Sequence, residues 1–102
     1  AGTIEQAEDL ITMDSEERAR ILHATRPTSW VATARADTPH WLLDSSGQIT
    51  IRVSRHPNVT RLCDAVGTAV ISTSANLSGR RPATSAMHLH QTFHDEIDLI
   101  IT

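Results

Sequence analysis

The chain contains no lysine and no tyrosine, one cysteine, and only 3% aromatic residues. Without lysine, all nine basic side chains are arginines: Arg18, Arg20, Arg26, Arg35, Arg52, Arg55, Arg61, Arg80 and Arg81. They are interspersed among twelve acids for a net charge of −3. This leaves no basic stripe of the kind that binds nucleic acid by counterion release. A lone Cys63 rules out an intramolecular disulfide. No run approaches the roughly 18 apolar residues that span a bilayer. Together these absences predict a cytoplasmic setting with no membrane contact. Ala1-Gly2-Thr3-Ile4 lacks both an initiating Met and a charged-then-apolar leader, and is read as the interior of a longer polypeptide.

What is present is ordinary globular material. The 102 residues carry 39% hydrophobic and 21% charged side chains, within the range of a single packed domain. Ile4, Ala7, Leu10 and Ile11 recur at helical spacing over residues 4–12. Asp14 followed by Glu17 resembles a capping box that opens a second helix through His23. Thr28 to Ala34 suits a strand, and Asp37 to Gly47 carries loop signals at Thr38-Pro39 and Ser45-Ser46-Gly47. From Gln48 to Ser54, Ile49, Ile51 and Val53 alternate with Thr50 and Arg52, the period of a half-buried strand, with Arg52 facing away from the apolar side.

Pro57 fits the first position of a helix, because its missing N–H would have no partner there. Val59, Leu62, Cys63 and Val66 line one face of that helix until Gly67 ends it. Thr68 to Ser72 reads as a short buried strand. Thr84 is placed to cap a helix through Met87 and Phe93, and Ile97 to Ile101 reads as a last strand. Helices alternating with strands predict a layered α/β fold.

The segment richest in chemistry is Ser72-Thr73-Ser74-Ala75-Asn76-Leu77-Ser78-Gly79. In open α/β sheets ligands bind beyond the carboxyl ends of strands, where loop side chains and free N–H groups converge. Serine both gives and accepts hydrogen bonds, asparagine offers both kinds at a fixed separation, and Gly79 permits close backbone approach. The plainer alternative is that Ser, Asn and Gly build a turn through local hydrogen bonds.

The order of residues in Ser72 to Gly79 resembles the signature of the YrdC family. The flanks agree: Ile51-Arg52-Val53, His56-Pro57, Leu62-Cys63 and Pro82, with Thr38 to Leu42 upstream and Phe93 to Ile101 downstream. The resemblance implies a YrdC-like twisted mixed sheet with flanking helices, of which residues 1–102 form a single partial domain, the carboxy-terminal portion. It further implies a threonylcarbamoyl-AMP synthase, condensing L-threonine, bicarbonate and ATP, with Mg, and passing the adenylate to partner proteins that modify tRNA. Contact of this chain with tRNA itself would be weak. By the same resemblance, Ser74 and Asn76 contact nucleotide and substrate, with Ser72 and Arg52 lining that pocket; no residue is assigned as catalytic or as a metal ligand. Arginine suits this role, since its planar fork holds carboxylates and phosphates in bidentate fashion.

The match has gaps. Members of that family use an earlier Lys-x-Arg pair, which a chain without lysine cannot supply, so this polypeptide alone is expected to be inactive. Thr25-Arg26-Pro27 replaces the usual Pro-Gly-Pro, and Arg55 stands where an acid is usual before His-Pro. Two other readings stay open: a non-catalytic nucleotide- or RNA-binding module of the same fold, and a carbamoyl-transferring YrdC-like domain of a maturation enzyme. His88, His90 and His94 are read as a solvated helix face, short of the four ligands of a zinc site. Cys63 is read as a packed core thiol, and Trp30 and Trp41 as core anchors.

Overall fold

The computed structural model describes residues 1–101. Two compact units divide the chain, Ala1–Val70 and Ile71–Thr102. In the first, helix α1 (Ile4–Glu8) begins at Thr3, whose hydroxyl accepts from the Gln6 N–H, and α2 (Ser15–His23) begins at Asp14, whose carboxylate accepts from the Glu17 N–H at 2.8 Å. Each such cap satisfies an N–H that the first helical turn leaves unpaired, and is worth about 1 kcal/mol. Strands β1 (Trp30–Thr33) and β2 (Gln48–Ile51) pair antiparallel, with Trp30 opposite Ile51 and Thr33 opposite Gln48. A 3-10 turn, His40–Leu42, lies between them.

The α/β character expected from the sequence is present, with a two-stranded antiparallel sheet as the β component. Period-two alternation does what was expected of it in β2, where Ile49 and Ile51 are buried while Gln48 and Thr50 are exposed. Their partners in the core are Ile4, Ala7, Ile11 and Ile21, with Trp30, Ala32, Leu10 and Met13 packed at the edges. Each fully buried isoleucine contributes about 1.5–3 kcal/mol of transfer free energy, so this small aliphatic cluster carries the first unit.

Several boundaries differ from expectation for identifiable reasons. The first helix stops at Glu8 because the chain turns to pair with the end of β1. Ile11 bridges Ala34, the Thr12 N–H donates to the Thr33 carbonyl at 2.9 Å, and the Arg35 N–H donates to the Leu10 carbonyl at 2.9 Å. The buried Thr38 hydroxyl also donates to the Leu10 carbonyl, at 2.6 Å, which pins the start of the connecting loop. Trp41, expected in the core, is 65% exposed on the 3-10 turn.

Helix α3 (Pro57–Val66) starts at Pro57, as its sequence requires, and ends at Gly67, whose φ of 81° lies in the left-handed region. It meets the start of the chain at Gly2, where an added Cβ would sit 3.1 Å from Cys63 Cβ and 3.2 Å from Thr60 Cα. Gln6 joins the two, accepting from the Gly2 N–H at 2.9 Å and donating to the Cys63 carbonyl at 3.3 Å. Cys63 is fully buried, as expected of a packed thiol.

In the second unit, α4 (Ala86–Phe93) is capped by Ser85, one residue after the expected Thr84, and runs into a 3-10 turn, His94–Glu96. The strands expected at 68–72 and 97–101 do not form. A β-strand needs a neighbour to satisfy its backbone groups, and among the described residues neither segment has one.

Candidate functional site

The signature loop lies in the second unit. Ser72 and Ser74 are exposed and Asn76 is half-buried. The loop is held by its own hydrogen bonds. Ser74 Oγ donates to Asn76 Oδ1, the Asn76 N–H donates to the Ser74 carbonyl at 3.0 Å, and Asn76 Nδ2 donates to the Leu77 carbonyl at 3.0 Å. A carbonyl can only accept, so the contact with Leu77 orients the Asn76 amide and makes Ser74 the donor to Oδ1. The Ala83 N–H closes the base of the loop onto the Ala75 carbonyl at 2.7 Å, and the Arg80 N–H donates to the Leu77 carbonyl at 2.9 Å. Gly79 stands at φ 77°.

Of the residues singled out from sequence, Ser74 and Asn76 are therefore brought into direct contact. Ser72 is exposed nearby in the chain, with no side-chain hydrogen bond among the described residues. The loop thus does what a turn does, spending the Asn76 amide locally, while keeping the hydroxyls of Ser72, Thr73, Ser74 and Ser78 at its surface. The Ser74 hydroxyl, its proton given to Asn76, can accept a hydrogen bond from a polar ligand, and the Ser72 hydroxyl can give or accept one.

Arg52 belongs to the first unit. It follows β2 directly and is exposed, consistent with a side chain turned from the apolar face of the strand. Its guanidinium donates to Ser29 Oγ at 2.9 Å, which uses one of five N–H donors and leaves the others available to an anion. Its carbonyl accepts from the Ala1 nitrogen at 2.8 Å, and the Ser54 N–H donates to the Ala1 carbonyl at 2.8 Å. The backbone around Arg52 is thereby fixed by residue 1 rather than by a longer β2.

Sequence reasoning missed a polar cluster between α1 and α2. Arg18 Nε donates to Glu8 Oε1 at 2.6 Å, and Arg18 also lies 3.6 Å from Glu5. The hydrogen bond and charge of Glu8 hold the Arg18 guanidinium above its ordinary pKa, so it stays charged. Arg35 donates to the Glu8 carbonyl at 3.3 Å and pairs with Asp37 at 3.3 Å. Glu8, Asp14, Arg18 and Arg35 line a cleft of about 360 Å³, and a second of about 230 Å³ lies beside Trp30, Ile21 and Arg20. Neither cleft is lined by Arg52 or by the signature loop. Apart from Arg35 with Asp37, the pairings cross between segments distant in the chain, so no local spacing announced them.

Arg55, which departs from the expected acid, reaches the carboxyl end of α2 and donates to the Leu22 carbonyl at 2.6 Å. His88 is half-buried while His90 and His94 are exposed. Among the described residues no group of three or more His, Cys, Asp or Glu side chains could hold a metal ion. No helix of the described residues is long and apolar enough to cross a membrane.

A two-unit α/β chain whose polar loop Ser72 to Gly79 is closed on itself now meets its relatives. The family model for Sua5, YciO and YrdC proteins, described as telomere recombination, matches residues 1–102, and the chain belongs to that family. It is 36% identical over 87 residues to a threonylcarbamoyl-AMP synthase of Klebsiella pneumoniae, covering 85% of this chain and 46% of that protein. It is 32% identical over 93 residues to one of Photorhabdus laumondii, covering 91% of this chain and 49% of that protein. A Methylococcus capsulatus protein of the same name is 42% identical over 67 residues, covering 66% of this chain and 36% of that protein. The chain thus spans about half the length or less of the curated relatives it matches.

Proposed function

We propose that this chain is the carboxy-terminal portion of a threonylcarbamoyl-AMP synthase domain, acting as an L-threonine-, bicarbonate- and ATP-using nucleotidyltransferase. The observation that carries the reading is the Ser72 to Gly79 loop, with exposed hydroxyls on a self-bonded frame, within a chain matched by the family model from end to end. In the reaction the threonine amine adds to the carbon of bicarbonate, water leaves, and the carbamate oxygen attacks the α-phosphorus of ATP as pyrophosphate departs. Negative charge builds on oxygens throughout, so the site needs oriented donors more than a nucleophile.

In this scheme Ser72 and Ser74 meet the nucleotide or amino acid, Asn76 orients Ser74, and Arg52 offers its remaining N–H groups to a carboxylate or phosphate. Mg²⁺ in such sites is bound largely by substrate phosphates and water. The signature loop has no carboxylate, and the described residues form no cluster of three or more ligands. This donor set does not make a resident Mg²⁺ site, and the ion would enter as part of the ATP complex. The adenylate would pass to tRNA-modifying partner proteins in the cytoplasm, with little direct hold on tRNA, given the net charge of −3.

With no lysine, the chain lacks the Lys-x-Arg pair of its family, and a cationic clamp is commonly a large contribution to nucleotidyl transfer. The chain alone is expected to turn over slowly or not at all. The test is pyrophosphate release by the full gene product and by the 102-residue chain, each with ATP, L-threonine and bicarbonate. The expected result is release by the full gene product that requires all three substrates. Binding of ATP and threonine by the full product without release would favour a non-catalytic binding module. Release supported by a carbamoyl donor in place of threonine would favour a carbamoyl-transferring domain.

A further inference from the structure

The second unit has two arginines, Arg80 and Arg81, side by side directly after Gly79. Both are exposed, and among the described residues neither forms an ion pair. The acids of this unit, Asp95, Glu96 and Asp98, come after α4, and Asp95 already lies 2.8 Å from His94 Nδ1. Exposure alone is the ordinary state of an arginine. The backbone that carries these two is not ordinary.

The Leu77 carbonyl accepts twice, from Asn76 Nδ2 at 3.0 Å and from the Arg80 N–H at 2.9 Å. Asn76 Oδ1 in turn accepts from Ser74 Oγ, so one run of hydrogen bonds leads from Ser74 through Asn76 and Leu77 to Arg80. The turn that closes it holds Gly79 at φ 77°, a conformation that any side chain disfavours. The Ala83 N–H then donates to the Ala75 carbonyl at 2.7 Å, which places both arginines between the two ends of a closed loop. Pro82 also keeps the Arg81 backbone from turning helical. The two backbones are therefore set relative to the Ser74 hydroxyl, and only the guanidinium groups are left for a ligand to order.

Charge selects that ligand. One guanidinium fork matches one carboxylate or one bicarbonate, whereas two adjacent permanent cations match an anion with several charges along its length. Among the three substrates of the proposed reaction, only ATP offers this, in its polyphosphate. The stretch from Ser72 to Pro82 has no carboxylate to repel it.

We propose that Arg80 and Arg81 clamp the polyphosphate of ATP, and the pyrophosphate that departs from it, on the hydrogen-bonded frame that presents Ser74. The clamp rests on the nucleotide-binding reading of the loop and adds to it the residues that hold the phosphates. Its task is binding, with no bond made or broken by either side chain.

The test is steady-state pyrophosphate release by the full gene product, together with calorimetric titration of inorganic pyrophosphate, which needs no turnover. Arg80→Ala with Arg81→Ala should raise KM for ATP at least about fivefold, the scale of one exposed charge pair, and weaken pyrophosphate binding by a similar factor. KM for L-threonine and the melting temperature should not change, since both side chains are exposed and unpaired. Arg80→Lys with Arg81→Lys should recover part of the loss, because it keeps the charge without the planar fork. Arg61→Ala, at an exposed position on α3, should alter neither quantity. Unchanged KM for ATP with unchanged pyrophosphate binding, an equal rise in KM for threonine, or an equal effect of Arg61→Ala would each overturn the proposal. So would a loss of tRNA binding with ATP and pyrophosphate unaffected, which would give the pair to nucleic acid. A full gene product that binds pyrophosphate through these arginines but never releases it from ATP would refute the reaction and uphold the clamp; turnover indifferent to the double variant would do the reverse.

Discussion

The Arg55 guanidinium donates a 2.6 Å hydrogen bond to the Leu22 carbonyl in the last turn of α2. A cation at that position satisfies one of the carbonyls the helix end leaves unpaired and opposes the negative end of the helix dipole. Arg55, where the resemblance leads one to expect an acid, thus has a structural task within this chain.

Arg55→Ala should lower the stability of the chain by about 0.3–1 kcal/mol, the range for a charge at a helix terminus. Arg55→Glu should cost more, because it places a like charge against the carbonyl end. Chemical denaturation followed by circular dichroism measures both. Equal stability of Arg55→Glu and the parent chain would contradict this assignment.

Gly67 ends α3 at φ 81°, with nothing within 4 Å of the place a Cβ would occupy. Space is therefore not the constraint; backbone conformation is. Gly67→Ala should cost about 1 kcal/mol through the left-handed conformation alone, and Gly67→Asn should recover part of it, as asparagine tolerates that region. The measurement is the denaturation midpoint at constant slope.

Asp44 organises the turn into β2. The Ser46 hydroxyl donates to its Oδ1 at 2.6 Å, and the Gln48 and Ser46 N–H groups donate to the same oxygen at 3.0 and 2.9 Å. These bonds, the Ser46 hydroxyl first, hold its carboxyl below the ordinary aspartate pKa. A carboxyl depressed in the folded state contributes stability that is present above its unfolded pKa of about 3.9 and lost as pH falls through the folded value. Stability should therefore decline in that acidic window. Ser46→Ala should move the Asp44 pKa upward, as read by carboxyl carbon NMR titration; an unmoved titration would remove Ser46 as the main cause.

For the proposed reaction, Asn76→Ala in the full gene product should lower kcat by about tenfold or more, because Ser74 loses the acceptor that orients its hydroxyl and misplaced site groups can cost up to about a hundredfold. Stability should change by no more than about 1 kcal/mol, the scale of a neutral hydrogen bond in a half-exposed loop. Unchanged kinetics with a large loss of stability would assign Asn76 to turn structure alone.

Local readings succeeded at several short stretches that carried their own physical cause, and missed by one residue at the cap of α4, where Ser85 takes the place expected of Thr84. Asp14 with Glu17 capped α2, Pro57 opened α3 and Gly67 closed it, and the alternation of Ile49 and Ile51 set the buried face of β2. They failed where a partner was needed. Thr68 to Ser72 and Ile97 to Ile101 have strand composition without a neighbouring strand, and the periodic helix at residues 4–12 gave way at Asp9 to pairing between Ile11 and Ala34. At the candidate site, the residue types of Ser74 and Asn76 were legible, but their mutual hydrogen bond and the engagement of Leu77 were not.

By itself the sequence determined the family, the cap of α2, the start and stop of α3, and the polar character of the loop from Ser72 to Gly79, because each depends on residues adjacent in the chain. Only the tertiary structure decided that Arg18 joins Glu8, that Arg55 closes α2, and that α3 buries Cys63 while leaving Leu62 and Val66 uncovered. Those outcomes depend on which distant segments meet, and burial and ion pairing are properties of that meeting rather than of any residue alone.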